Sequence, residues 1–230
     1  MSIVLTLPGG AVLSCRAVVF DLDGVLVDSM PAIVRQLREW ASARGLEPDR
    51  VVELSHGRGN LDLVRLVAPG LDAEREARLL ADREAGDVEG ITARPGARAA
   101  LDAVPPSARA IVTSGNDRVA RARLRVAGLP VPEVLVTADD VRKSKPDPEG
   151  YLAAAAELGV APRDCVVFED APAGVAAARS GGMRVVGVLG TVSELDAEYT
   201  VPDLAAVAVK LCPDPGTPVP GAGLRGGQGE

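Results

Sequence analysis

Histidine is almost absent: the 230 residues contain one, His56. A multi-histidine metal site is excluded, and any Ser-His-Asp or Cys-His mechanism would have to run through that single ring. The three cysteines, Cys15, Cys165 and Cys212, are odd in number, far apart and form no C-x-x-C pair. They point to buried or inert thiols in a reducing cytoplasm and offer no zinc site. Aromatics are 2% of the chain, so the core has to be built from Ala, Val and Leu. No apolar run approaches the ~18–20 residues of a membrane span. The opening "MSIVLTLPGG" lacks the basic stretch of a signal peptide, and with "AVLSC" it reads as a strand, a turn and a return. At a net charge of −7, with no Lys/Arg run, neither nucleic acid nor a membrane is an expected partner.

What is present alternates. Short β-branched runs at 16–21, 108–113, 133–137, 164–169 and 184–189 are separated by Ala-rich helical stretches at 117–127, 148–158 and 172–180. Those helices start at Pro or Asp and stop at Gly, which is the punctuation of a βα alternation. The pattern predicts an α/β fold: a Rossmann-like three-layer core with a parallel sheet. From Ser29 to about Arg94 the alternation breaks into helix alone, far more chain than a crossover needs. This interval reads as an inserted α-helical domain over the sheet, with Ser29 as candidate N-cap and Trp40 on the apolar stripe of its first helix. The division expected is 1–28 with 95–211 for the core, 29–94 for the insert, and a disordered tail over 212–230, where ten of the last eighteen residues are Pro or Gly.

Three motifs fall at the carboxyl ends of three of these strands: Asp21-Leu22-Asp23-Gly24, Thr113-Ser114-Gly115-Asn116 and Glu169-Asp170. Parallel strands deliver those ends to one edge of an open sheet, where ligands bind. Four carboxylates converging there without a histidine call for a hard cation, and Mg²⁺ is the natural one. Of the 25 basic side chains three are lysines, and two of these, Lys143 and Lys145, stand in "RKSKPDPEGY". Where Arg is the default cation, Lys145 before Pro146 answers a need for a compact point charge, able to neutralise an acid and a phosphoryl oxygen together.

The strings "FDLDGVLVDS", "VTSG", "KSKPDPEGY" and "VVFEDAPAGVAAARSGG" resemble, in order and spacing, the four signature motifs of the haloacid dehalogenase-like hydrolases. The helical insert resembles the cap domain that one subgroup carries after its first core strand. The resemblance implies an enzyme, a phosphoric monoester hydrolase using Mg²⁺ and working through an aspartyl-phosphate. Asp21 would be the nucleophile and Asp23 the general acid and base. The metal would be held by Asp21, the Asp23 main-chain carbonyl and Asp170, with Glu169 as ligand or support. Thr113, Lys145 and the amides of Leu22, Asp23, Ser114 and Gly115 would hold phosphoryl oxygens, with Asn116 in the same group. Asp28 and Ser29 would serve the hinge and the helix cap.

Within the family, halide-displacing members lack the acid at Asp23, and phosphonate-cleaving members need a cap lysine that 29–94 does not contain. The β-phosphoglucomutases carry a histidine where this chain has Ile33. "DSMPAI" and "SHGRGN" resemble instead the phosphatases of glycerol 3-phosphate and 2-deoxyglucose 6-phosphate, which implies that His56, Arg58 and Asn60 contact substrate hydroxyls or orient the cap loop. Hydrolysis of a sugar or polyol phosphate is the reading. Phosphotransfer of the β-phosphoglucomutase kind, or a silent binding protein, are the alternatives. The partner expected is a small phosphorylated substrate, and the chain a monomer or weak homodimer.

Overall fold

A computed structural model describes residues 1–190 and 193–213. In chain order the elements are β1 (Ser2–Thr6), β2 (Val12–Cys15), β3 (Ala17–Phe20), β4 (Val27–Asp28), α1 (Met30–Ser42), α2 (Pro48–Ser55), α3 (Asn60–Val67) and α4 (Ala73–Gly86). Then come β5 (Thr92–Ala93), α5 (Ala97–Ala103), β6 (Arg109–Val112), α6 (Asp117–Val126), β7 (Val134–Val136) and α7 (Glu149–Glu157). The chain continues through β8 (Cys165–Glu169), α8 (Pro172–Ser180), β9 (Arg184–Val188), β10 (Tyr199–Val201) and β11 (Ala208–Cys212).

Six strands form a parallel sheet in the order β10-β9-β8-β3-β6-β7. All four residues of β3 are buried, because helices or a second sheet cover both of its faces, and so the strand reads as a continuous apolar run rather than an alternating one. Its two faces still serve different layers. Val18 and Phe20 pack with Ile111, Phe168, Leu101 and Leu124 on one side. Ala17 and Val19 pack with Val112, Val167, Tyr151 and Ala178 on the other. The five strands read from the sequence are all present, trimmed at their ends, and β10 is an edge strand too short to announce itself.

The expected opening hairpin forms: β1 pairs antiparallel with β2 around a turn at Pro8–Gly10. It does not join the main sheet. Its other edge is filled by β11, with Ser2 opposite Cys212, so Cys212 ends a strand. Of the tail expected from Cys212 on, residues 214–230 lie outside the described residues.

The insert leaves and re-enters the core through a two-stranded ribbon in which Val27 faces Ala93 and Asp28 faces Thr92. Its four helices share a cluster of Leu37, Trp40, Ala41, Val51, Leu63, Val64 and Leu80. Trp40 is fully buried there, its Nε1 donating to Glu76 Oε2 at 2.8 Å and Arg44 lying over its ring. It is a packing residue of the insert. Trp40→Ala should cost about 3–5 kcal/mol, read as a shift in the urea midpoint. A loss below about 1 kcal/mol would mean that this ring does not organise the insert.

No helix among the described residues is long and apolar enough to cross a membrane.

Candidate active site

The parallel pairing of β3 with both β6 and β8 carries three strand ends to one edge. Asp21 is the first residue past β3, and its amide donates to Phe168 O at 2.9 Å, which ties it to β8. Gly24 then turns the chain at φ +87°, a conformation disfavoured for side-chain-bearing residues, and its amide bonds Val27 O at 2.8 Å. This hook returns Asp23 to the same edge as Asp21.

The two acids have different partners. Lys145 Nζ donates to Asp21 Oδ1 at 2.5 Å and to Glu169 Oε1 at 2.7 Å. Asp23 Oδ1 accepts from Ser29 Oγ at 2.5 Å, while Oδ2 accepts from Arg123 at 2.7 Å, with Thr113 Oγ1 3.5 Å away. Burial pushes the Asp21 carboxyl well above its ordinary range; Lys145 opposes this, and Glu169, Asp170 and Asp23 add to it. Burial works against the Lys145 ammonium, but Asp21 and Glu169 outweigh it and hold the ammonium well above its usual value.

One pocket collects most of the residues read from the sequence. Asp21, Asp23, Thr113, Ser114, Gly115, Glu169 and Asp170 line it from the core, His56 and Arg58 from the insert. Lys145 lies just behind, bound to two of its acids. Several details depart from expectation. Asn116 is outside that lining: its Oδ1 accepts from Val119 N at 2.9 Å and caps α6. The Gly115 amide is committed to Thr113 Oγ1 at 3.1 Å, so it shapes the loop. The Leu22 side chain is buried, and its carbonyl accepts from the amides of Leu26 and Val27, bracing the hook. Ser29 sits at the N-cap position of α1, yet its hydroxyl goes to Asp23 and makes no cap bond.

Glu169 is engaged at both carboxylate oxygens. Its Oε1 accepts from Lys145 and from Tyr151 OH, its Oε2 accepts from Ala171 N, and the residue is 1% exposed. A Cβ on Gly174 would overlap this carboxylate, so α8 can pack here only with glycine. These contacts make Glu169 the support of Lys145, one of the two roles open to it. His56 and Arg58 are exposed at the pocket rim and also close the end of α2. Arg58 Nε donates to Leu54 O at 3.0 Å, and His56 Nδ1 is 3.2 Å from Glu53 O.

Sequence reasoning missed Arg123 and Glu84. Both line the pocket and both are buried, paired to each other at 2.8 Å. A signal was there: Arg123 stands four residues after buried Val119, and Glu84 four after buried Leu80, so each interrupts an apolar helix stripe. Met30, Ile33 and Leu37 of α1 add an apolar wall opposite.

At this edge Asp21, Asp23, Glu84, Glu169 and Asp170 contribute five carboxylates, faced by the buried cations Lys145 and Arg123. The excess negative charge suits a divalent cation with oxygen ligands. Among the described residues no three His, Cys, Asp or Glu side chains converge on a ready-made metal position. Binding through two carboxylates, a carbonyl and waters needs no such triple.

A family model described as haloacid dehalogenase-like hydrolase matches residues 15–182. The chain is 46% identical over 179 residues to hexitol phosphatase A of Escherichia coli, covering 76% of this chain and 83% of that protein. It is 33% identical to glycerol-1-phosphate phosphohydrolase 1 of Saccharomyces cerevisiae, over 78% of this chain and 76% of that one. A hydrolase structure from Pseudomonas syringae superposes with a TM-score of 0.70 at 28% identity, covering 83% of this chain and 94% of that one.

Proposed function

We propose, for a chain that belongs to the haloacid dehalogenase-like hydrolase family, that the carboxylate edge hydrolyses small phosphomonoesters of sugars or polyols. The observation that carries this reading is the separate anchoring of the two acids: Asp21 on Lys145, Asp23 on Arg123 and Ser29. Two carboxylates at one strand end can take two tasks only if their surroundings differ.

Asp21 attacks phosphorus in line while the ester P–O bond breaks, and Asp23 gives its proton to the departing oxygen. Water then attacks the aspartyl-phosphate, and Asp23 takes the proton back. Inorganic phosphate leaves and Asp21 is regenerated. Thr113 and the Ser114 amide at the pocket wall, with Lys145 behind Asp21, would hold the phosphoryl oxygens, and Glu169 holds Lys145 in place. Mg²⁺ fits the donor set: the Asp21 carboxylate, the Asp23 main-chain carbonyl and Asp170 would hold it. When bound, it supplies positive charge that keeps Asp21 ionised and neutralises phosphoryl oxygens. His56 and Arg58 at the rim are assigned to the hydroxylated end of the substrate. Ile33 stands in the pocket wall where the mutases of the family carry histidine, which favours water over a second sugar as acceptor. Free thiols at Cys15, Cys165 and Cys212 support a reducing, cytoplasmic setting.

Phosphate release with Mg²⁺ across hexitol, glycerol and 2-deoxyglucose phosphates tests the reading. Turnover of at least one of these, abolished by chelation, is the expected result. If β-glucose 1-phosphate with glucose 1,6-bisphosphate were converted to the 6-phosphate faster than phosphate appeared, hydrolysis would be the wrong activity.

A further inference from the structure

The mechanism above uses Asp23 but not the buried charges behind it. Arg123, in the middle of α6, is one of them: its side chain is 4% exposed. It donates to Asp23 Oδ2 at 2.7 Å through one terminal nitrogen and to Glu84 Oε2 at 2.8 Å through the other. Glu84 belongs to α4 of the insert, and its second oxygen accepts from Asn60 Nδ2 of α3 at 2.8 Å. The chain Asp23–Arg123–Glu84–Asn60 thus runs from the reacting edge across the core–insert boundary. Asp23 Oδ1 meets the insert as well, through Ser29 just ahead of α1. A planar guanidinium fork spans two carboxylates at fixed angles, which an ammonium cannot do.

We propose that Arg123 is a positioning residue for Asp23, locked in place by Glu84 and Asn60. Asp23 is then aimed at the leaving oxygen only while the insert is seated on the core. This rests on the phosphatase reading and adds to it a reason for two buried charges that the chemistry does not otherwise need. With the insert lifted, Glu84 leaves Arg123, and Asp23 loses the backing that fixes its orientation.

The test is leaving-group dependence, read as kcat/KM, which reports the steps up to formation of the aspartyl-phosphate. An alkyl phosphate needs its leaving oxygen protonated; 4-nitrophenyl phosphate does not. A catalytic group displaced by about 1 Å can cost about 100-fold. Arg123→Gln should therefore lower kcat/KM for glycerol phosphate and for plain propyl phosphate by roughly 30- to 100-fold. The loss on 4-nitrophenyl phosphate should be at least tenfold smaller. Glu84→Gln, which keeps the volume and removes the charge, should shift the same ratio in the same direction by roughly 5- to 10-fold. Should Arg123→Gln fail to fold, Glu84→Gln carries the test alone. Equal losses on alkyl and aryl esters would overturn the proposal. So would a loss seen with glycerol phosphate but not propyl phosphate, because Arg123 would then be reading substrate hydroxyls. Asp23→Asn run in parallel separates the two levels: no ester discrimination in that variant would fault the acid assignment itself.

Discussion

Asp21→Asn should reduce phosphate release by roughly four to six orders of magnitude while the chain still melts cooperatively. The amide has nearly the same shape as the carboxylate but cannot attack phosphorus, and among the described residues no other carboxylate stands on Lys145 from the β3 side. Folding should survive because the substitution removes charge from a crowded site. Asp21 lies among Glu169, Asp170 and Asp23, and burial together with these neighbours holds its carboxyl above the ordinary value of 3.8. For an acid raised on folding, ionisation opposes the folded state. That cost is absent below pH 3.8, where both states are protonated, and is complete once the pH passes the folded value. In chelator the Asn variant should therefore match or exceed the parent in midpoint at neutral pH, with the difference shrinking toward acid. Measurable turnover of the Asn protein, above contaminating activity, would remove Asp21 from the nucleophile's role.

Lys145→Ala is the second large effect, and it acts on stability as well as on turnover. The ammonium is 7% exposed and bonded to both Asp21 and Glu169. Its removal strands two buried carboxylates, an error that costs about 3–5 kcal/mol where one buried charge loses its partner. The pH dependence distinguishes this cause from simple loss of packing. In the parent, Lys145 is held above its ordinary value of 10.5. Its stabilisation is then fully present below pH 10.5 and fades as pH rises through the folded value. In the Ala variant Asp21, already raised by burial, can be relieved by protonation, so the gap to the parent should be widest near neutrality and narrow on acidification. Urea melts at pH 7.5 and pH 5 in chelator measure this. A deficit below about 1 kcal/mol, equal at both pH values, would show that the three-way contact contributes little. Phosphate release should fall with the same substitution, since Lys145 braces Asp21 and is proposed above to meet the phosphoryl group.

Much of this site was legible because central parallel strands are buried on both faces. Ala17–Phe20, Ala110–Val112 and Cys165–Phe168 read as short unbroken apolar runs, and each ends at its polar motif. Asp21, Asp23, Thr113 and Glu169-Asp170 could thus be placed at one edge before any coordinates, because parallel strands share polarity. For Arg123 the break in the apolar stripe was masked by its neighbours. The residue sits in "DRVARARLRV" beside Arg118, Arg121 and Arg125, and a run of arginines on a helix ordinarily means a solvated face. Arg118 and Arg121 do pair on the surface, with Asp82 and Asp117. Asn116 misled for the opposite reason: it adjoins Thr113-Ser114-Gly115, but as the N-cap of α6 its side chain turns to the helix amides.

The sequence by itself determined the alternating α/β order, the helical insert and the identity of the acids at the strand ends. These follow from local periodicity and from residues a few positions apart. Only the tertiary structure decided that β11 returns to pair with β1, that Glu169 is spent on Lys145 and Tyr151, and that Arg123 joins Asp23 to Glu84. Those contacts span 18 to 100 positions for the site pairs. A charged side chain at such a distance is recognised only by the partner that folding brings to it, because burial makes that pairing obligatory and local sequence does not encode it.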